Sequence, residues 1–171
     1  SPKILWQPTA ADLQNAHLTR FMAWLHEQPD TRHIGFDYHH LWEWSTTCTD
    51  QFWAAVASFF EVHFHQPARH IHSGQMPEVQ WFEGSTLNYA EHIFRQYSDE
   101  RPAILFCSEM SEVQSISWTE LRRQTAALAH WLRDQGVGPG DRVVGYLPNI
   151  PAATVAFLAS AAVGAVWSSA S

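Results

Sequence analysis

Residues 142–167 read RVVGYLPNIPAATVAFLASAAVGAVW and carry the clearest structural pattern in the chain. Residues 142–147 predict a buried strand because they form an almost continuous apolar run, and a turn containing two prolines follows them. Residues 152–163 predict a helix that is apolar on all sides, and Gly164 is placed to end it. Since a second strand opens at residues 165–167, the segment predicts a βαβ unit with parallel strands and a right-handed crossover.

A helix that is apolar on every side must be covered from several directions. The chain stops four residues after Trp167, before that covering is complete. We therefore expect residues 142–171 to be the first βαβ part of a larger α/β domain that is truncated here.

A hairpin and a long helix are predicted ahead of the βαβ unit. Residues 103–107 and 113–116 are short strand-like runs joined by a polar turn. Ser117 and Glu120 form a capping box for the helix, and Gly136 is placed to end it. Its predicted core face consists of Leu121, Thr125, Leu128 and Leu132. Another short helix is predicted where Asn88 stands three residues before Glu91 as an N-cap pair.

The first half of the chain is expected to be a helical lead-in. Thr9 and Asp12 resemble a capping box for a helix that runs to Pro29, and Thr49 is predicted to cap a stronger helix. Their apolar faces are predicted to contain Leu18, Met22 and Leu25 in the first, and Phe52, Trp53, Val56, Phe59 and Phe60 in the second. Residues 66–77 show no clear period and are rich in Pro, His and Gly, so we expect a connecting loop there.

Composition excludes several classes of function. The chain has 171 residues and a formal net charge of -7, and its nearest approach to a basic stripe is Arg122–Arg123, so we expect no nucleic-acid partner. Cys48 and Cys107 are far apart and suit a reducing compartment. No signal-peptide pattern is visible, and the longest apolar run is too short to cross a bilayer. A cytoplasmic protein without a membrane partner is the expectation.

Five short motifs point to a known family. They are residues 81–91 (WFEGSTLNYAE), 117–121 (SWTEL), 136–143 (GVGPGDRV), 147–151 (LPNIP) and 164–169 (GAVWSS). In their order and spacing they resemble the acyl-CoA synthetase branch of the adenylate-forming enzymes. The resemblance implies two regions: a helical amino-terminal module at 1–80, and the incomplete start of the large AMP-binding domain at 81–171.

The resemblance also implies a reaction. Members of this family use ATP, Mg²⁺ and coenzyme A to convert a carboxylic acid into its acyl-CoA through an acyl-adenylate. Residues 167–171 (WSSAS) and 41–45 (LWEWS) are more similar to the branch that activates acetoacetate than to the branch that activates acetate; another short-chain acid stays open. By resemblance Ser168, Ser169 and Ser171 border the coenzyme A tunnel, although an ordinary strand end would also explain them.

The groups that the family's chemistry requires are missing from this stretch of sequence. Lys3 is the only lysine, whereas the family places one lysine after a phosphate-binding loop and another on a mobile domain. Residues 136–140 hold the only glycine cluster, but they lead from a helix into a strand, and a phosphate loop leads from a strand into a helix. We therefore assign no catalytic residue and no bound cofactor to this chain, and expect it to be inactive alone.

Two other classes of function remain open. His63, His65, His70 and His72 could form a metal-binding module, but the sequence places no acidic or cysteine partner near them, and we assign no metal ligand. The chain could also act as a non-catalytic interaction domain. If residues 152–171 are an uncovered apolar surface, we expect it to self-associate there.

Overall fold

A computed structural model describes residues 3–35 and 37–171 of the chain, and their contacts divide the chain into two compact units. The first unit is Ser1–Thr86 and the second is Leu87–Ser171. Within the described residues, no helix is both long enough and apolar enough to cross a membrane. Cys48 and Cys107 are both free thiols, as the sequence suggested.

The first unit contains four helices and a small hairpin among its described residues. These are α1 (Ala10–Asn15), α2 (His17–Glu27), α3 (Tyr38–Thr47), α4 (Thr49–Phe59), β1 (His70–Ser73) and β2 (Gln80–Glu83). The capping box that starts α1 is confirmed: Asp12 N donates to Thr9 Oγ1 at 3.2 Å, and Thr9 N donates to the Asp12 carboxylate at 2.8 Å. The core of the unit consists of Phe21, Leu25, Ile34, Leu41 and Trp44, against which Phe52 and Phe59 pack.

Three predictions for this unit were wrong in detail. The first helix is broken at Ala16, whose extended backbone separates α1 from α2 although no Gly or Pro marks the break. Cys48, not Thr49, is the N-cap of α4, because the residue that ends α3 also begins α4. Trp53 and Phe60 are 40% and 56% exposed, so the aromatic face of α4 is only partly core.

The predicted loop at residues 66–77 in fact contains a strand. His72 of β1 lies opposite Trp81 of β2 in an antiparallel pair, and Ser73 lies opposite Gln80. The strand was missed because its side chains are mostly polar, so apolar alternation could not reveal it. Its backbone pairs with β2, which follows several residues later in the sequence.

The second unit is an α/β structure, as predicted. It contains α5 (Tyr89–Phe94), β3 (Ile104–Ser108), β4 (Ser111–Ile116), α6 (Trp118–Asp134), β5 (Arg142–Tyr146), α7 (Pro151–Ala162) and β6 (Val166–Ala170). Strands β3 and β4 form an antiparallel hairpin, and β5 and β6 pair in parallel with α7 between them in sequence. The predicted βαβ unit is thereby confirmed.

The ends of α6 follow the sequence signals, with one difference. Glu120 N donates to Ser117 Oγ at 3.1 Å, so Ser117 is the N-cap. The Glu120 carboxylate does not complete the capping box; it accepts hydrogen bonds from Arg123 and Gln124, which lower its pKa to about 2. Gly136 has a φ of 82°, and Val137 N donates to Leu132 O at 2.9 Å, so the helix ends where predicted.

Helix α7 is covered by its own unit more fully than the sequence suggested. Ala159 and Ser160 are 0% exposed and Leu158 is 2% exposed, because α5, α6 and the β5–β6 pair pack around them. Among the twelve residues of α7, Ala152 and Thr154 alone are exposed. The expectation that the helix itself is an uncovered surface was therefore wrong, since short neighbouring elements already enclose it.

The uncovered apolar surface lies instead on one side of the β5–β6 pair. Val144, Tyr146 and Val166 are 72%, 82% and 56% exposed. Because side chains alternate along a strand, the opposite side of β5 carries Val143 and the buried Gly145. We call the exposed side, defined by Val144, Tyr146 and Val166, the outer strand face.

Candidate functional site

The predicted ligand-binding serines lie at the end of the parallel strand pair. Ser168 pairs with Val144 and Ser169 with Gly145, while Ser171 directly follows the last residue of β6. Leu147 N donates to Ala170 O at 3.1 Å, which keeps the two carboxyl ends side by side. All three serines are exposed. The carboxyl ends of parallel strands are where ligands of α/β proteins usually gather, so this position is compatible with a ligand edge.

A small groove runs along β5 near these serines. It has a volume of about 270 Å³ and is bounded by α6, α7 and β5, with Trp131, Trp167 and Tyr146 in its walls. Its lining residues carry no charged side chain, and the Ser160 hydroxyl donates to Ala156 O at 2.8 Å. The groove therefore offers apolar contact but no acid, base or metal ligand.

The glycine-rich turn between α6 and β5 is closed by hydrogen bonds within itself. Asp141 N donates to Gly138 O at 3.1 Å, and Gly138 N donates to the Asp141 carboxylate at 2.9 Å. The Gly138 amide is thus already bonded to a negative group of the chain itself. Gly136 and Gly140 have positive φ angles of 82° and 88°, as a helix stop and a tight turn require. The interpretation as a turn is confirmed.

The paired histidines lie in two places within the first unit. The rings of His63 and His65 are neighbours, with centroids 5.3 Å apart. His70 and His72 are on β1, where Nδ1 of His72 bonds to the carboxylate of Asp50 and its ring lies 5.6 Å from that of Trp81. The expectation that no acidic partner is near was therefore wrong for His72, because α4 brings Asp50 to the hairpin from 22 residues away.

The bond between Asp50 and His72 has a structural role. The pair joins the first turn of α4 to β1, and a histidine already bonded through one ring nitrogen offers a metal only the other. The metal-binding hypothesis for residues 63–72 stays untested.

Asn88 does more than the sequence indicated. Its Oδ1 accepts from Glu91 N at 3.3 Å and so caps α5, as predicted. Its Nδ2 also donates to Ala161 O at 3.0 Å and to Ala162 O at 3.4 Å, at the carboxyl end of α7. This second role joins residues more than 70 positions apart, and no local pattern could have revealed it.

Two family models match adjoining parts of the chain. The model described as "Acetyl-coenzyme A synthetase N-terminus" matches residues 38–93, and that described as "AMP-binding enzyme" matches residues 90–170. Together they match most of the chain in the order that the sequence motifs suggested. The boundary between the two predicted regions, between residues 80 and 81, stays a prediction.

Individual relatives agree with the family models. The acetoacetyl-CoA synthetase of Danio rerio is 35% identical over an alignment of 176 positions, which covers 99% of this chain and 25% of that protein. The acetoacetyl-coenzyme A synthetase of Rhizobium meliloti is 32% identical over an alignment that covers 98% of this chain and 25% of that protein. The solved structure of the acetoacetyl-CoA synthetase from Streptomyces lividans matches with a TM-score of 0.88 and 47% identity, over 99% of this chain and 26% of that one.

These matches confirm the recognition made from the sequence motifs: the chain is homologous to the amino-terminal part of adenylate-forming acyl-CoA synthetases. Each relative named above is, more narrowly, an acetoacetyl-CoA synthetase. The chain spans about a quarter of the length of the curated relatives it matches.

Proposed function

We propose that the chain is the amino-terminal part of an acetoacetate–CoA ligase. The proposed reaction converts acetoacetate, ATP and coenzyme A into acetoacetyl-CoA, AMP and pyrophosphate. The observation that carries the proposal is the structural match at 47% identity across 99% of the chain, with an enzyme whose name states this product. Resemblance at residues 41–45 and 167–171 favours acetoacetate over acetate, and another short-chain acid is the alternative.

The proposed reaction has two halves. A carboxylate oxygen of acetoacetate attacks the α-phosphorus of ATP, the bond from that phosphorus to the bridging oxygen breaks, and pyrophosphate leaves. The sulfur of coenzyme A then attacks the acyl carbon, its proton passes to solvent, and AMP leaves. Both halves develop negative charge on oxygen, which such enzymes stabilise with aligned donors and cations.

This chain offers little for either half. The turn at residues 136–140 holds the Asp141 carboxylate against its own amide, so it does not fit a triphosphate with Mg²⁺. Lys3, the only lysine, is exposed and lies ahead of the first helix. We therefore assign the catalytic groups, with the binding of ATP and Mg²⁺, to parts of the longer protein outside this chain.

One contribution to substrate binding is proposed for this chain. Ser168, Ser169 and Ser171 border the path of coenzyme A, supported by their exposure and by their position at the carboxyl end of β5–β6. We assign no catalytic residue and no metal ligand here. We also propose a cytoplasmic protein, supported by the free thiols of Cys48 and Cys107, with neither nucleic acid nor membrane as a partner.

The test compares this chain with the complete protein that contains it. Each is incubated with ATP, Mg²⁺ and one acid (acetoacetate, acetate or butyrate), with and without coenzyme A, and pyrophosphate is followed. We expect the isolated chain to match a buffer blank, and the complete protein to favour acetoacetate by about tenfold or more in kcat/KM, since one well-matched polar group can separate substrates by that factor. A preference for acetate or butyrate would select the alternative substrate, and release by the isolated chain would overturn our assignment of catalysis elsewhere.

A second candidate function, self-association, is favoured by a separate observation. The outer strand face presents Val144, Tyr146 and Val166 to solvent beside an open strand edge, and such edges pair with other chains. In this reading the chain contributes an interface, and a second copy covers the strands.

A further inference from the structure

Asn88 stands between two helix ends and serves each with a different atom. Its Oδ1 accepts from Glu91 N at the start of α5, and its Nδ2 donates to Ala161 O and Ala162 O at the end of α7. We propose that Asn88 is a positioning residue for coenzyme A binding, which acts by fixing the corner between α7 and β6 and thereby the serines at 168–171. The inference rests on the proposed function, because it assumes that these serines border the coenzyme A path.

The carbonyls that Asn88 bonds belong to a set that helices leave without internal partners. Gly164 N donates to the same Ala161 O at 3.0 Å, and Ala165 N donates to Ser160 O at 3.0 Å. Gly164 and Ala165, which follow α7, are therefore bonded to the same last helical turn that Asn88 bonds. Removing the Asn88 donor therefore removes two hydrogen bonds that join this turn to the start of α5.

The corner itself has little freedom. Gly164 has a φ of 79°, and a Cβ on it would lie 3.1 Å from Cγ of Pro139. Two residues later Val166 N donates to Asp141 O at 2.7 Å, where β6 begins beside β5. Only three residues join the end of α7 to the start of β6, and hydrogen bonds hold them on both sides. A displacement of the end of α7 therefore also displaces β6.

The alternative is that Asn88 is only a cap for α5. Asn88→Asp separates the two roles, because aspartate caps helices as well as asparagine does but cannot donate to Ala161 O. The added negative charge would also lie at the carboxyl end of α7, where the helix dipole disfavours it. Asn88→Ser keeps a capping oxygen and removes the donor without adding charge. Ser117→Ala is the matched control, since it removes the cap of α6 in the same unit.

The experiment uses the complete protein that contains this chain. The measurements are KM for coenzyme A in the full reaction, pyrophosphate release without coenzyme A, and hydrogen exchange at the amides of Gly164, Ala165 and Val166. We expect both Asn88 variants to raise KM for coenzyme A by about three- to tenfold, the effect of one lost hydrogen bond. Pyrophosphate release should stay within about twofold, and exchange at the three amides should rise in the same measure. Ser117→Ala should leave KM and these amides unchanged.

The outcomes are distinguishable. Unchanged exchange at residues 164–166, or equal losses in both half-reactions for Asn88→Asp and Asn88→Ser, would overturn the positioning role. Faster exchange with an unchanged KM for coenzyme A would also overturn it, by showing that the corner moves without affecting binding. If the wild-type protein releases no pyrophosphate with acetoacetate or any other short-chain acid, the proposed function fails instead. The hydrogen-exchange result then still shows whether Asn88 fixes the corner between α7 and β6.

Discussion

Thr125 is a polar residue in the packed interior of the second unit. Its side chain is 3% exposed, and its Oγ1 has no hydrogen-bond partner among residues 3–35 and 37–171. Burying a hydroxyl without a partner costs free energy, while valine has the same shape and no such requirement. We predict that Thr125→Val raises the free energy of unfolding by about 1 kcal/mol, measured by urea denaturation of the chain.

A matched control for this substitution is available on the neighbouring helix. Thr154 of α7 is exposed, so its hydroxyl is solvated and Thr154→Val should change stability by less than about 0.5 kcal/mol. A loss of stability in Thr125→Val would mean that the hydroxyl has a partner, such as a buried water.

Single residues also show how far sequence reasoning reaches. The side-chain caps at Thr9, Asn88 and Ser117 were predictable because an N-cap bonds to a backbone amide three residues later. The second bond of Asn88 and the pairing of His72 with Asp50 were not, because only the folded chain brings those partners together.

Strand β5 packs against β6 through a residue without a side chain. A Cβ on Gly145 would lie 2.4 Å from Cη2 of Trp167, so the indole occupies the space that any larger residue would need. We predict that Gly145→Ala lowers the free energy of unfolding by about 1–3 kcal/mol through this overlap, measured by urea denaturation with tryptophan fluorescence.

Gly138 provides the control for that prediction. A Cβ there would meet no heavy atom of the described chain within 4 Å, so Gly138→Ala should be neutral or slightly stabilising. Equal effects of the two substitutions would show that Trp167 moves aside freely, and that Gly145 is not required for packing.

Elements were predictable where their pattern was local. The βαβ unit was evident because its strands are apolar runs and its helix is bounded by Pro151 and Gly164. The β1–β2 hairpin was not, since three of the four residues of β1 are polar and six residues separate it from β2. The break at Ala16 also escaped, because alanine normally continues a helix.

At the scale of the whole molecule, the outer strand face is the surface that invites association. Val144, Tyr146 and Val166 are all more than half exposed, and parallel strands are normally covered on both sides. We predict that the isolated chain forms a dimer or larger assembly at micromolar concentration, measured by light scattering. Tyr146→Lys should shift it toward the monomer, because a charge would have to be buried in the contact.

Val113→Lys is the control for that experiment. Val113 is 69% exposed on the β3–β4 hairpin, which is a separate sheet from β5–β6, and its replacement should leave the assembly unchanged. A wild-type chain that remains monomeric would contradict the prediction, because the outer strand face would then stay exposed to water without causing association.

The bond from Asn88 to the end of α7 has a consequence for the order in which the second unit can form. A ribosome releases residue 88 well before residues 161 and 162, and the two sides of this contact are separated by 73 and 74 positions. The α5 cap can form as soon as Glu91 emerges, but the unit cannot close until almost all of it has been synthesised. Contacts of such separation slow folding, because a long loop must be ordered before they form. The contact between the start of α5 and the end of α7 therefore waits for the synthesis of α7, whereas the cap of α5 does not.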